Sequence, residues 1–178
     1  MPRRRVVIAV SEFETMSEFE TSGEVLKDFR LAMRNVAAPV SVVTAYIGGQ
    51  PFGTTVSAFD SLSMDPPMMT VALQDTSYLL GHLNVGTVLG VNVLSAEQAP
   101  LAMKFAVRDA DRFAGVDWEL VDGAPQITGS HSWFVLSVSQ MVRGGDHIVI
   151  VGDVIGAAQG QGRPLTYHDR IFGTHEAL

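Results

Sequence analysis

The chain has no cysteine among its 178 residues. That excludes disulfides, thiolate catalysis and any zinc site built on Cys ligands. Positive charge is also scarce, with 12 Lys and Arg against 19 Asp and Glu and a net charge of −7. A general nucleic-acid binder needs a basic face, so that class is set aside. A phosphorylated ligand would have to be held by local donors, backbone N–H groups or hydroxyls, because the field of the whole chain repels it. No apolar run reaches the ~18 residues of a membrane helix. The histidines, His82, His131, His147, His168 and His175, show no HExxH or other metal-ligand spacing. There is no GxSxG nucleophile elbow, and neither a GxGxxG turn after a first strand nor a GxxxxGK loop to cradle a nucleotide.

What remains is an ordinary globular composition, 47% hydrophobic and 17% charged. A single domain of this length buries roughly 70% of the surface its unfolded chain exposes. The start, Met1-Pro-Arg-Arg-Arg5 and then Val6 to Val10, imitates a signal peptide. Its apolar run is shorter than the ~7–15 residues such a segment needs, and Glu12, Glu14, Glu18 and Glu20 follow at once. Positions 1 to about 22 therefore read as a disordered extension, with Met16 as an alternative initiator. The domain runs from 23 to 178, and the expected compartment is the cytoplasm.

Leu26, Phe29, Met33 and Val36 recur three or four apart and predict a helix over Gly23 to Val36, closed by Pro39. β signals then dominate. Val40 to Tyr46 is apolar and β-branched, Gly48-Gly49 is a turn, and Phe52 to Phe59 returns. Met68 to Leu73, Thr87 to Leu94, Ser132 to Val142, His147 to Ala158 and a short last strand at Pro164 to His168 complete the set. Two helices are expected, Ser77 to Asn84 capped by Ser77 and Ser95 to Phe105 capped by Ser95. Asp109 to Gln126 reads as a polar connection. Six or seven antiparallel strands with a few short helices predict a closed or nearly closed β-barrel, since closure removes exposed edges.

Three clusters carry possible chemistry. Asp146 and His147 stand at the mouth of a strongly apolar strand, as turn residues of Arg143-Gly-Gly-Asp146 or as groups facing a ligand. Gly53-Thr-Thr-Val-Ser-Ala58 puts three hydroxyls on one strand, either satisfied by neighbouring strands or lining a polar, planar ligand. Gln74-Asp-Thr-Ser77 is a helix cap, or a set of N–H and hydroxyl groups for an anion. Trp133 with Phe134 and Phe105 with Phe113 read as core or interface aromatics, and Met33, Met64, Met68, Met69, Met103 and Met141 as packing.

Taken in order, these segments resemble the short-chain flavin reductase family, the reductase partners of two-component flavin-dependent monooxygenases. The resemblance runs from about Asp28 to Gly173. It rests on Phe29-Arg-Leu-Ala-Met33, Pro39-Val-Ser-Val-Val-Thr44, Gly53-Thr-Thr-Val-Ser-Ala58, Pro66-Pro-Met68, Gln74 and Ser77. It continues through Val91-Asn-Val-Leu94, Phe105-Ala106, Arg112-Phe113, Gly145-Asp-His147, Gly152-Asp-Val154 and Pro164-Leu-Thr-Tyr-His168. It implies a mostly β fold, the FMN-binding split barrel, working as a homodimer. The chain would pass a hydride from NADH or NADPH to FMN or FAD and hand reduced flavin to a monooxygenase. By the same resemblance Gly53, Thr54, Thr55, Val56 and Ser57 would line the isoalloxazine and ribityl chain. Leu73, Gln74 and Ser77 would lead toward the phosphate, with Asn92 a further contributor. Asp146 and His147 would serve the nicotinamide side. Two alternatives stay open: a non-catalytic flavin-binding sensor, and a pyridoxamine-phosphate-oxidase-like enzyme, which would want more basic phosphate ligands than Lys104, Arg108 and Arg112.

Overall fold

The computed structural model describes residues 22–107 and 111–177. The expected N-terminal extension and Arg108 lie outside these residues. The chain divides into two units, one ending at Met33 and one beginning at Arg34. In the first, helix α1 (Gly23–Arg34) begins where the Ser22 hydroxyl accepts the Val25 N–H at 3.3 Å, with Glu24 favourably placed in its first turn. It ends two residues before the expected Val36, and its apolar stripe, Leu26, Phe29 and Met33, is exposed.

The second unit is β-rich. In chain order it comprises β1 (Ala38–Pro39), β2 (Ser41–Ile47), β3 (Gln50–Val56), β4 (Phe59–Met64), β5 (Pro67–Gln74) and β6 (Val88–Val93). Helix α2 (Ala99–Ala106) precedes β7 (Trp118–Val121), β8 (Ala124–Ile127), β9 (Ser132–Gly144), β10 (His147–Gln159), β11 (Leu165–His168) and β12 (Ile171–Thr174). Seven strands form one antiparallel sheet in the order β3-β2-β6-β9-β10-β5-β4.

No ladder joins the two edge strands β3 and β4, yet only Ser57 and Ala58 lie between them in sequence. A flat seven-stranded sheet would hold its edges about 29 Å apart. Three residue steps span at most about 11 Å. The sheet must therefore curl until its edges approach, with its hydrogen bonding left open there rather than closed. Phe52 to Phe59, expected as one strand, is broken at this point.

β2 shows why the strands read as unbroken apolar runs. Val43 and Ala45 point into a core with Val71, Leu89, Val91, Leu136 and Ile150, while Val40 and Val42 point the other way, against Leu94, Ala102, Phe105 and Leu165. Both faces are buried, so alternation disappears. Trp133 packs over Gly90 so closely that a Cβ there would lie 2.2 Å from the indole. Met69 is buried, but Met64 and Met103 are exposed rather than packed.

The other differences are local. The helix expected at Ser77 to Asn84 is a single 3-10 turn, Leu80–His82, and Ser77 does not cap it. Ser95 to Phe105 is a 3-10 turn, Ala96–Gln98, continued by α2, with Gln98 Oε1 accepting the Ser95 N–H at 3.0 Å. The polar connection contains the β7–β8 hairpin, turned by Asp122 (φ 48°) and Gly123 (φ 89°), an Asp-Gly signal of the hairpin type. β11 is not the last strand, because Asp169 and Arg170 turn the chain into β12.

Candidate functional site

Between β3 and the end of β5 lies a cleft of about 1320 Å³. This exceeds the ~300–1,000 Å³ of common small-molecule pockets and suits a large ligand or two stacked ones. One wall is β3. Its inner side pairs with β2, setting Gly53 opposite Thr44 and Thr54 opposite Val43. Its outer side meets no strand. Instead Arg112 donates from Nη1 to the Gly53 carbonyl at 2.6 Å and from Nε to the Val107 carbonyl at 2.8 Å. The Thr55 hydroxyl donates to the Ala102 carbonyl in α2 at 2.6 Å. Side chains thus guard an edge that would otherwise invite another strand.

Gly53 is required by packing. A Cβ would stand 2.8 Å from Phe105 Cε1 and 3.3 Å from Phe113 Cε2. Phe113 meets Phe105 edge-on at 5.0 Å and Trp118 at 5.6 Å, and Phe113 and Trp118 face the cleft. The expectation of core packing therefore holds for Phe105, which is fully buried, but only in part for Phe113.

The opposite wall is the end of β5 and the β9–β10 hairpin. His147 pairs with Gln74, and the Asp75 N–H donates to the Asp146 carbonyl at 2.9 Å, tying hairpin tip to strand end. Gly145 (φ 64°) takes the first central position of that two-residue turn, a conformation that favours glycine. The Asp146 carboxylate accepts from His147 Nδ1 at 2.7 Å. That hydrogen bond, then the imidazole charge, holds the Asp146 carboxyl below its ordinary value. A carboxylate only accepts, so Nδ1 carries the proton and Nε2 is the nitrogen left for a ligand.

Gly53, Thr54, Thr55, Val56, Ser57, Leu73, Gln74, Ser77 and His147 all line this one cleft. Three details depart from expectation. Asp146 does not line it; its side chain is 85% exposed and lies behind His147. The Gln74–Ser77 junction is not an open helix start, since the Asp75 N–H is used on Asp146 and the Ser77 N–H on Gln74 at 2.9 Å. Asn92 is elsewhere. It is fully buried, donates to the carbonyls of Val42 at 3.0 Å and Pro125 at 3.3 Å, and accepts from the Ile127 N–H at 2.7 Å. Its amide joins β6, β2 and β8 in the interior, and the residue does not line the cleft.

Phe52, Tyr78, Arg112 and Trp118 also line the cleft and were not expected as site residues. They come from distant segments, and only the curled sheet brings them together. The donor set fits a planar, polar-edged aromatic ligand: hydroxyls of Thr54, Ser57 and Ser77, a strand edge, and aromatic side chains. Arg112 is the only Lys or Arg among the described lining residues.

Comparison with known proteins agrees with this geometry. Residues 33–176 match a family profile described as a flavin reductase like domain. An NADH-dependent FMN reductase of Agrobacterium fabrum is 35% identical over 156 residues, covering 87% of this chain and 89% of that protein. The reductase component of a 4-nitrophenol 4-monooxygenase/4-nitrocatechol 2-monooxygenase of Rhodococcus opacus is 33% identical over 146 residues, 82% of this chain and 79% of its own. Among solved structures, the NADH:FAD oxidoreductase of Streptomyces globisporus C-1027, in complex with NAD and FAD fragments, superposes with a TM-score of 0.80 at 28% identity. It covers 86% of this chain and 94% of its own. With most of its length matched in sequence and in fold, the chain belongs to the flavin reductase like domain family.

Proposed function

We propose that this protein is an NAD(P)H-dependent flavin reductase that supplies reduced FMN or FAD to a partner monooxygenase. The observation that carries the reading is that Thr54 on β3, Ser57 just after it, Ser77 beyond β5, and His147 on β10 line one cleft. The relatives named as an NADH-dependent FMN reductase and as a monooxygenase reductase component support the same activity.

Flavin bound there would supply the ring that takes up a hydride from a reduced nicotinamide. The chain's own residues hold and orient. The edge of β3 with the Thr54 and Ser57 hydroxyls holds the ring's polar edge, while Val56 and Leu73 form an apolar floor. Arg112 and Phe105 fix that edge from behind. Gln74 and Ser77 continue toward the phosphate. His147 presents Nε2 to the nicotinamide nucleotide and is steered by Asp146, a positioning residue. No side-chain nucleophile is needed.

We read the curled sheet as the split barrel of this family, acting in the cytoplasm as a homodimer. Exposed apolar side chains on β4 and β10, Leu62, Met64 and Ile155, offer surface for a second copy. The test mixes purified protein with NADH or NADPH and free FMN or FAD and follows the nicotinamide absorbance. Oxidation that depends on added or retained flavin is the expected result. Flavin binding without nucleotide oxidation would replace the reductase with a sensor.

A further inference from the structure

At the rim of the cleft stand three aromatic rings that the proposed chemistry does not use. Phe52 and Tyr78 line the cleft. His82, from the 3-10 turn, stacks on Phe52 with centroids 4.4 Å apart and an interplanar angle of 30°. It also meets Tyr78 edge-on at 4.7 Å, and Phe52 and Tyr78 lie 5.8 Å apart. The His82 Nδ1 is 2.9 Å from the Tyr78 carbonyl, which ties the turn to the ring it supports. Tyr78 is nonetheless 70% exposed. A large ring held in place by two neighbours and left open to solvent is a preorganised stacking surface.

The geometry points to an adenine-binding ledge formed by Tyr78, backed by His82 and Phe52. This inference rests on the flavin reading of the cleft. If a flavin phosphate lies at Ser77, the next residue along the wall is Tyr78. A group that continues beyond that phosphate along this wall comes within reach of the Tyr78 ring. FMN ends at the phosphate, whereas FAD continues through a second phosphate to adenosine. An adenine stacked here would make the cleft favour FAD over FMN. The cleft's volume, too large for a single small ligand, agrees with such an extended occupant. Stacking also suits the scarcity of cations, because a ring face binds adenine without calling on Lys or Arg. NAD(P)H carries the same adenine and is the other possible source.

The test compares wild type, Tyr78→Ala and Tyr78→Phe. Flavin fluorescence gives Kd for FAD and for FMN; steady-state assays give KM for NADH and for reduced nicotinamide mononucleotide. In Tyr78→Ala, Kd for FAD should rise roughly 10- to 100-fold with FMN unchanged, and Tyr78→Phe should restore it. If instead KM rises for NADH but not for the mononucleotide, the ledge still takes adenine, from the nicotinamide dinucleotide. If the alanine variant moves none of these, or moves FAD and FMN alike, the ledge is wrong. A wild type that binds FMN with an unchanged FAD preference in the variant removes only the ledge. A wild type that binds neither flavin removes the reading beneath it.

Discussion

His147 stands directly opposite Gln74 in the ladder between β10 and β5. That pairing fixes one end of the cleft, because Gln74 closes β5 where the wall turns toward Ser77 and His147 opens β10. The ladder holds the His147 backbone and the Asp146 carboxylate holds its ring, so neither needs a ligand to keep its place. Replacing the ring should therefore leave the wall standing and remove one contact. In His147→Ala, KM for the reduced nicotinamide nucleotide should rise roughly tenfold or more, the scale of one hydrogen bond to a charged partner. Flavin Kd should change less than about twofold. Steady-state kinetics beside a flavin titration decide it, and unchanged nucleotide kinetics would remove His147 from that role.

The Asp146 carboxyl makes a pH prediction. Its folded value is lowered by the His147 hydrogen bond and charge. Its contribution to stability is therefore present above the ordinary aspartate range and is lost as pH falls through the lowered folded value. Following its carboxyl carbon by NMR should show titration below an ordinary aspartate, moving back up in His147→Ala. Identical curves in both proteins would mean the pair is not formed in solution.

Gly53 offers a test of the wall itself. In Gly53→Ala the new methyl would meet Phe105 Cε1 at 2.8 Å, and Phe105 is fully buried with no room to retreat. Overpacking of this kind costs about 1–3 kcal/mol. The strand edge should shift, lowering Tm by several degrees and weakening flavin binding roughly tenfold. Thermal unfolding with a flavin titration checks both. Wild-type flavin affinity in a destabilised variant would mean the edge does not contact the ring.

Asn92 should behave in the opposite way. Asn92→Ala leaves the Ile127 N–H and the Val42 and Pro125 carbonyls without their side-chain partner in the interior. Stability should fall by about 2–4 kcal/mol, near 5–10 °C in Tm. Flavin affinity of the remaining folded protein should be unchanged. A selective loss of flavin binding would return Asn92 to the site.

How far the amino-acid sequence reveals this site follows from what each signal is made of. The hydroxyl-rich stretch Gly53 to Ser57 and the Gly-Asp-His turn are local, so both are visible in the chain itself. The strands are legible because Val, Ile and Thr fill them. Their faces are not: in β2 neighbouring residues enter different cores, so period two leaves no polar mark. The same loss hides Asn92, which looks like a strand amide that could face either way. Thr55 cannot be told from Thr54 without knowing that α2 lies against it. Ser77 resembles a helix cap, but the turn after it is too short to need one. Phe52, Tyr78, Arg112 and Trp118 are hidden for a different reason, because only the approach of β3 to the β5 end makes a cleft between them. The β7–β8 hairpin escapes the strand pattern, although Asp122-Gly123 announces it.

The most direct measurement is a titration of ¹⁵N-labelled protein with FMN, following backbone amide resonances. If the cleft between β3 and β5 holds flavin, the amides of Thr54, Ser57, Gln74 and Ser77 shift together at one affinity, while those of β11 and β12 stay put. Shifts confined to other strands, or none at FMN concentrations that support nucleotide oxidation, would contradict it.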